Sequence, residues 1–321
     1  MKRLTIVILG LILVGSAVLA QEATPSPAPT KTTTPEPTAQ QTEAGSIETL
    51  VRFEPLTQTD LTVITGNVQR PNGMVWFDET LFVVCNGDWT VYEIDANNGD
   101  TRTYIYGVRN GHALHAEQNN AGQLVLWVPD FDQNMLLEVN PVRAPRPVAT
   151  GLESPWGIAY LNENEFLISN LGADNVVRVS RSGMVSPLIE GLRRPTGLAI
   201  DGNHVYVANN GSARRAIEWV DLNDPGTINP LVSGLQSTTG LTLGPDGYLY
   251  FAYSLGSRGI VGRVDPEVCR ENGGCGNEDV EIVLYTELAA PLAGITITPE
   301  MRLYIHTMFR PEIYWVQLPV N

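Results

Sequence analysis

The feature that most constrains the fold is a short pattern that recurs six times over residues 46–321. Each unit contains a β-rich run that usually ends in glycine, then a Pro-x-Gly tripeptide or a variant of it, then further apolar or alternating runs. The unit over residues 195–209 is the clearest, with Pro-Thr-Gly-Leu-Ala-Ile followed by a turn and His-Val-Tyr-Val-Ala-Asn. Successive glycine-terminated runs lie 40 to 53 residues apart. Four short strands in each such unit predict a β-propeller.

The ends of the repeat predict how the ring closes. Residues 61–66 form a lone fourth strand before the first complete unit, and the sixth unit ends on its third strand, at residues 313–317. Joining the two would hide both exposed sheet edges. We therefore predict an all-β, six-bladed propeller of four-stranded blades over residues 46–321, its last blade completed by the N-terminal strand. An open β-sandwich is the alternative, but it does not explain equal units with complementary half-units at the ends.

Two segments precede the repeat. Residues 1–20 carry Lys2 and Arg3, an apolar run and small residues before Gln21, which is the pattern of an export signal. The apolar run is also long enough for an uncleaved membrane anchor, so both interpretations stay open. Residues 21–45 contain seven Thr, five Pro and one Ser, with no apolar residue larger than alanine, and are predicted to be a disordered stalk. The protein is thus expected to be secreted or exposed on the cell surface, and to meet a membrane only through an uncleaved N-terminal segment.

The predicted export determines the expected oxidation state of the cysteines. In an oxidising compartment Cys269 and Cys275, which flank a short polar loop, are expected to form a local disulfide. Cys85 lies within an apolar run and is predicted to be a buried, unpaired hydrophobe.

Charge narrows the choice of partner. The 35 acidic and 20 basic residues give a net charge of −15, which argues against nucleic acid as a ligand. When the loops are sorted by propeller face, many arginines fall on one face and most carboxylates on the other. Arginine forks on the first face, at Arg109, Arg193, Arg194, Arg214 and Arg258, predict an anionic ligand. The alternative is that these arginines pair with neighbouring loop carboxylates and only stiffen the loops.

The units resemble NHL-type repeats and the six-bladed propellers of the gluconolactonase and regucalcin superfamily, most clearly at residues 195–209 and 239–252. Such repeats occur in lactonases, esterase-like enzymes, lyases and non-catalytic binding proteins. The resemblance implies a divalent ion at the channel mouth, held by a first-blade glutamate and by Asn or Asp of later units. Here Asn72 replaces that glutamate, and the equivalent later positions lack any carboxylate; they are His112, Trp156, Thr196, Thr239 and Ala293. A calcium ion is therefore possible, but no cofactor is firmly implied, and Asn72, Asn86 and Asp130 are only weak candidate ligands.

A polar cluster is expected in the first two units. It comprises Asn72, Asn86, His112, His115 and Asp130, with His306 close by if the ring closes. His112 could act as a base that Asp130 orients. His112 and His115 point to opposite faces of an extended chain, so they are a poor metal-binding pair. The alternative is that the cluster makes ordinary hydrogen bonds that order the loops.

These features favour a binding module over an enzyme, because no Gly-x-Ser-x-Gly elbow, phosphate-binding loop or Cys-x-x-Cys motif is present. We expect a monomer that binds an anionic small molecule, a glycan or a surface protein at the channel mouth. The expected ligand-binding residues are Asn72, Arg109, His112, Trp156, Arg193, Arg194, Arg214 and Arg258. The alternative is a metal-dependent lactonase- or esterase-like hydrolase, or a lyase, that uses His112 and Asp130.

Overall fold

The computed structural model describes residues 54–319, which contain 24 β-strands in six antiparallel sheets of four. The predicted export signal (residues 1–20) and stalk (residues 21–45) lie outside the described residues, so their boundaries remain predictions. The strands are β1 (Thr62–Thr65), β2 (Pro71–Phe77), β3 (Thr80–Cys85), β4 (Thr90–Asp95), β5 (Thr101–Tyr106), β6 (His115–Gln118), β7 (Leu124–Asp130), β8 (Met135–Val139), β9 (Pro145–Thr150), β10 (Pro155–Asn162), β11 (Glu165–Asn170), β12 (Asn175–Ser180), β13 (Val185–Glu190), β14 (Pro195–Asp201), β15 (His204–Asn209), β16 (Ile217–Asp221), β17 (Asp224–Val232), β18 (Leu241–Leu243), β19 (Leu249–Leu255), β20 (Arg258–Val264), β21 (Glu281–Ala289), β22 (Leu292–Ile297), β23 (Arg302–Thr307) and β24 (Ile313–Gln317).

Blades one to five are formed by successive groups of four strands from β2 to β21, and blade six by β22, β23, β24 and β1. Strand β1 pairs antiparallel with β24, with Thr62 opposite Trp315. The segment before β1 is hydrogen-bonded to blade five, because Leu56 donates its N–H to the carbonyl oxygen of Val283 at 2.9 Å. The predicted six-bladed fold, closed by the N-terminal strand, is confirmed.

The second strand of each blade explains the continuous apolar runs in the sequence. Strand β3 is buried from Leu81 to Cys85, and β15 is buried from Val205 to Asn209, because neighbouring blades cover both of their faces. Six apolar clusters fill the interior, and Tyr206 of blade four packs with Phe251 of blade five in one of them. Cys85 is fully buried and unpaired, and burial raises the pKa of its thiol.

The glycines of the Pro-x-Gly tripeptides let the first strands crowd around the central axis. A Cβ atom on Gly157 would lie 2.3 Å from the carbonyl oxygen of Thr196, and one on Gly197 would lie 2.6 Å from that of Thr239. No side chain tolerates such contacts, so glycine is required where one blade's first strand meets the next. The repeated tripeptide is therefore a consequence of ring geometry.

Loops divide between two faces. The loops that join one blade to the next contact the loops between second and third strands, as where Gly172 donates its N–H to the carbonyl of Glu153 at 3.0 Å. We call the face that carries both of these loop types the upper face. The loops between first and second strands, and between third and fourth strands, lie on the lower face.

The long fifth unit carries an insertion. It contains helix α1 (Pro266–Glu271), which Asp265 caps by accepting the N–H groups of Glu267 and Val268. Three short 3-10 helices lie elsewhere, at Gln58–Asp60, Ala213–Arg215 and Asn277–Asp279. The structure forms the predicted disulfide between Cys269 and Cys275, whose N–H also bonds to blade four. Among residues 54–319 no helix is long and apolar enough to cross a membrane.

Candidate functional site at the channel mouth

The axial channel contains a cavity of about 180 Å³ that is walled by the first strands of the blades. Three middle residues of the Pro-x-Gly tripeptides or their variants line the cavity, namely His112, Trp156 and Thr239. Asn72 and Thr196 are buried beside it. The remaining walls carry apolar side chains, such as Met74, Leu198 and Ile295, and the threonines Thr242 and Thr296.

His112 is held by aromatic rings. Its imidazole stacks on the indole of Trp156 with 3.6 Å between ring centroids and 6° between planes, and the edge of Phe131 contacts it at 5.2 Å. The residue is 8% exposed, and its Nδ1 atom is buried without a hydrogen-bond partner. Two rings, that of Trp156 at the start of β10 and that of Phe131 in the loop after β7, therefore fix the imidazole plane and leave Nδ1 without a partner among the described residues.

His306 lies close to this ring on β23 of blade six and is fully buried. Its Nε2 atom is 3.1 Å from the position of a Cβ on Gly294, so a larger residue there would press against the imidazole. Neither ring nitrogen has a hydrogen-bond partner of normal geometry. Burial lowers the pKa of His306 to about 4, and the nearby backbone of Thr307 offsets only part of that effect.

The two histidines affect each other. Burial, and secondarily the charge that His306 would carry, lower the pKa of His112 to about 3. Both imidazoles are therefore neutral at pH 7, when each ring can donate one hydrogen bond and accept another. Since unpaired buried polar atoms are rare in native proteins, His112, which lines the cavity, is a candidate for contact with a polar ligand.

Asn72 is a third residue that has a buried polar atom without a partner among the described residues. Its Nδ2 donates to Oδ1 of Asn110 at 2.5 Å, and Asn110 in turn donates to Asp132 at 3.0 Å. This leaves Oδ1 of Asn72 buried without a partner. Asn110 was not among the predicted site residues; its place in an inter-blade loop, two residues before His112, is the signal that could have found it.

The carboxylate of Asp130 is hydrogen-bonded to groups other than His112. Its carboxylate accepts the N–H of Arg109 at 2.8 Å and, from Gln133, the backbone N–H at 3.0 Å and the side-chain amide at 2.8 Å. Within the described part of the chain no hydrogen bond or ion pair joins Asp130 to His112. The carboxylate orders the upper loops of blade two. Asn86 also lies in an upper loop, where its N–H donates to Arg70 and its Oδ1 has no partner.

The donors at the channel mouth do not fit the calcium ion that the family resemblance implies. Calcium is bound mainly by carboxylate and carbonyl oxygens, yet the only carboxylate among the predicted ligands is Asp130, whose oxygens accept the hydrogen bonds above. The uncommitted atoms are amide oxygens of Asn72 and Asn86 and imidazole nitrogens. No group of three or more His, Cys, Asp or Glu residues that could hold a metal ion occurs in residues 54–319.

The predicted arginines lie in upper loops or, for Arg258, at the first residue of β20, and they have different partners. Arg258 lies 3.8 Å from the carboxylate of Glu287, and both side chains are well exposed. The guanidinium of Arg109 lies 5.3 Å from the ring centre of Trp89, and that of Arg193 donates to the carbonyl of Leu192. Across residues 54–319, four of the predicted arginines make no ion pair with a carboxylate: Arg109, Arg193, Arg194 and Arg214.

Comparison with known proteins shows which propellers the chain is similar to. No family model matches the chain. A curated gluconolactonase of Zymomonas mobilis subsp. mobilis is 25% identical over 204 residues, which are 50% of this chain and 54% of that protein. The chain thus matches about half the length of this curated relative.

Two solved structures show the same fold at low sequence identity. A gluconolactonase of Xanthomonas campestris has a TM-score of 0.63 and 15% identity, with 81% of this chain and 89% of that chain covered. A catalytically inactive histidine-to-alanine variant of virginiamycin B lyase from Staphylococcus aureus, solved with quinupristin, has a TM-score of 0.51 and 14% identity, with 81% and 89% covered. The resemblance drawn from the repeats is therefore confirmed for the fold: the chain is a six-bladed β-propeller similar to gluconolactonases and, in its sheet architecture, to virginiamycin B lyase.

Proposed function

We propose that the protein is an enzyme of the lactonase or lyase type that opens a cyclic ester at the channel mouth. The observation that carries this proposal is His112, a stacked, uncharged imidazole in the cavity wall with a buried nitrogen that no protein group satisfies. The similarity to a gluconolactonase supports the substrate class. The inactive histidine-to-alanine lyase supports a chemical role for histidine in a propeller of this shape.

The chemistry needs only a base that can return its proton. In hydrolysis, water adds to the ester carbonyl carbon while the His112 imidazole removes one water proton; the ring C–O bond then breaks, and the imidazolium protonates the departing alkoxide. A base with a pKa of about 3 is weak at pH 7. Negative charge on the substrate, or charge that develops on the carbonyl oxygen, favours the imidazolium and raises that pKa. The cavity is thus best suited to an acidic or strongly polarised substrate.

His306 and Asn72 act in this proposal as positioning residues. His306 is fully buried and does not line the cavity, and Asn72 is 1% exposed. Their uncommitted atoms keep the surroundings of His112 polar without adding charge.

The test is a panel of lactones, cyclic depsipeptides and aryl esters, with products identified by mass spectrometry. Hydrolysis adds the mass of one water, and elimination leaves the mass unchanged. We expect His112→Asn to lower turnover of the active substrate by about 10²-fold or more, as removal of an acid–base group does. The matched control is His204→Asn, because His204 is the first residue of β15 and follows a lower-face loop. Equal activity of wild type and His112→Asn, or no turnover across the panel, would overturn the proposal.

A second candidate, supported by the four unpaired arginines, is a binding module for an anionic ligand. Exposed guanidinium groups without carboxylate partners are available for bidentate contact with carboxylate, phosphate or sulfate. In this case the Arg193→Glu, Arg194→Glu double variant loses retention of anionic glycans on an array, whereas His112→Asn keeps it. Unchanged retention in the double variant rejects this candidate.

We also propose that the protein is exported, by cleavage before Gln21 or with residues 1–20 retained as an anchor. The support is the sequence pattern alone. Mass spectrometry of the N-terminal peptide of the mature protein distinguishes the two, and detection of unprocessed protein only in the cytoplasm contradicts both.

A further inference from the structure

A larger cavity lies on the lower face between blades two and three, away from the channel mouth. It measures about 590 Å³ and is bordered by the lower loops of both blades. The residues on which the inference depends are Gln118, Asn120, Tyr160, Glu163, Asn164 and Arg181.

The charges beside this cavity cancel locally. Arg181 of blade three forms a two-pronged contact with Glu117 of blade two, in which Nη2 donates to Oε2 at 2.8 Å and Nη1 donates to Oε1. The indole N–H of Trp127 donates to the same carboxylate at 2.7 Å. A second carboxylate of the lining, Glu138, forms an ion pair with Arg146. Glu163 is thus the one lining carboxylate among the described residues without a cationic partner.

Tyr160 supplies an aromatic surface. The residue is 43% exposed although it lines a cavity, and its ring stacks on His115 at 5.6 Å between centroids with 19° between planes. His115 is in turn packed against Phe166, at 5.5 Å. The tyrosine ring therefore packs on His115 with one face, and the remaining part of the ring is exposed to solvent.

Uncommitted amides surround this ring. The side chains of Gln118, Asn120 and Asn164 make no hydrogen bond within residues 54–319, and neither does the carboxylate of Glu163. Amides both donate and accept hydrogen bonds, whereas a carboxylate only accepts. Such a mixture matches hydroxyl groups, which also do both.

We infer that the lower cavity between blades two and three is a binding site for a neutral oligosaccharide, with one sugar ring on Tyr160 and its hydroxyls on the amides and Glu163. An anionic ligand would meet an unpaired carboxylate and an arginine already occupied by Glu117. A cationic ligand would find a single free carboxylate, too little to offset its desolvation. An apolar ligand would leave the amides unpaired. This inference is independent of the proposed cyclic-ester chemistry at the channel mouth.

Saturation-transfer NMR and calorimetry on the intact chain test the site. The probes are neutral tetrasaccharides of glucose (β-1,4 and α-1,4), xylose, mannose and N-acetylglucosamine, together with tetragalacturonate as the acidic comparison. We expect at least one neutral sugar to bind, and Tyr160→Ala to weaken it about tenfold or more, as loss of an aromatic platform does. Tyr106→Ala is the matched control, since Tyr106 is 67% exposed and lies outside the cavity; it should change affinity less than about twofold.

Four outcomes overturn the inference. The first is that no neutral tetrasaccharide gives saturation transfer at up to about 10 mM, the weak end of specific binding. The second is that Tyr160→Ala and Tyr106→Ala, both folded by circular dichroism, bind the sugar equally well. The third is that binding survives Tyr160→Ala but disappears in His112→Asn, which would place the sugar at the channel mouth. Preferential binding of tetragalacturonate through Tyr160 would also contradict a neutral ligand.

Discussion

His112 and His115 are three residues apart, yet they belong to sites of opposite electrostatic character. His112 faces the channel mouth among aromatic rings and neutral amides, and burial and the neighbouring His306 lower its pKa. His115 lies toward the lower face, where its Nε2 is 3.4 Å from the carboxylate of Glu117. Burial also lowers the pKa of His115, but Glu117 opposes that effect.

The two sites differ in how their charged and polar groups are paired. On the lower face, Glu117 satisfies Arg181 and Trp127 at once, and their hydrogen bonds outweigh the effect of burial so that the pKa of Glu117 is lowered. Among the described residues, buried atoms without a hydrogen-bond partner occur at both places: Nε of Arg181 and Nε2 of His115 on the lower face, and atoms of His112, His306 and Asn72 at the channel mouth. Nε2 of His115 still lies beside the charged carboxylate of Glu117, whereas the groups around His112 are aromatic rings and neutral side chains. We therefore expect the Glu117–Arg181 pair to contribute mainly to stability and His112 to the proposed reaction.

The largest expected effect is acid lability that arises from the channel-mouth histidines. An unfolded histidine binds its proton near pH 6.5, whereas folded His306 and His112 do so only near 4 and 3. Between those values the unfolded state holds more protons, so the free energy of unfolding decreases as pH falls. The slope approaches about 1.4 kcal/mol per pH unit for each histidine.

Urea denaturation from pH 6.5 to 4.5 measures this slope. His306→Leu should remove a larger part of it than His115→Phe, because Glu117 opposes the pKa shift of His115. A slope that is equal in the two variants would contradict the distinction between the sites.

The second prediction concerns the Glu117–Arg181 pair. Arg181→Met leaves the carboxylate of Glu117, with a side chain 19% exposed, without its main partner and removes the contact of the guanidinium with the ring of Phe166, 4.6 Å away. We expect the free energy of unfolding to fall by about 2–3 kcal/mol at pH 7, somewhat less than for a fully buried pair. Arg146→Met is the control, because Arg146 is 57% exposed in its pair with Glu138 and should cost about 1 kcal/mol or less. Similar losses for both variants would reject the special role of Arg181.

A third prediction has the opposite sign. His306→Leu replaces a fully buried ring, whose nitrogens have no partner of normal geometry, with an apolar side chain. At pH 7.5 we expect the free energy of unfolding to rise by about 1 kcal/mol, while catalytic turnover decreases. Thermal and urea unfolding measure the first effect. Destabilisation accompanied by full turnover would show that His306 is a packing residue without a link to the site.

The smallest expected effect is at Arg258. Its pair with Glu287 spans 3.8 Å between exposed side chains, so Arg258→Gln should change the free energy of unfolding by less than about 0.5 kcal/mol. A larger loss of the free energy of unfolding would mean that ion pairs stabilise the upper loops. The distinction between Arg258 and the nearby arginines without ion pairs would then no longer hold.

The fold could be predicted because its causes are local and repeated. Gly157 and Gly197 are required by the approach of neighbouring first strands, and the same requirement recurs at similar spacing in the sequence. Ring closure followed from half-units at the two ends. The disulfide followed from two cysteines six residues apart in a polar loop.

The site was less accessible to sequence because its contacts cross between blades. The repeat places His112 and Trp156 at equivalent positions, but it does not say that their rings stack face to face. Asp130 was a plausible partner for His112 on spacing, yet its carboxylate is used by the backbone of its own loops. Arg181 and Glu117 lie on neighbouring blades and are 64 residues apart in the sequence. Their contact depends on side-chain packing alone.

Closure of blade six by β1 gives the chain an unusual order of assembly. The strand that leaves the ribosome before every blade finds its partner, β24, only after almost all of the described chain has been made. A nascent or truncated chain that lacks β24 therefore keeps an open edge on β1 and another on blade six, ready to pair with other chains. For this protein, the pairing of β1 with β24 controls whether the product is a closed ring or a seed for aggregation.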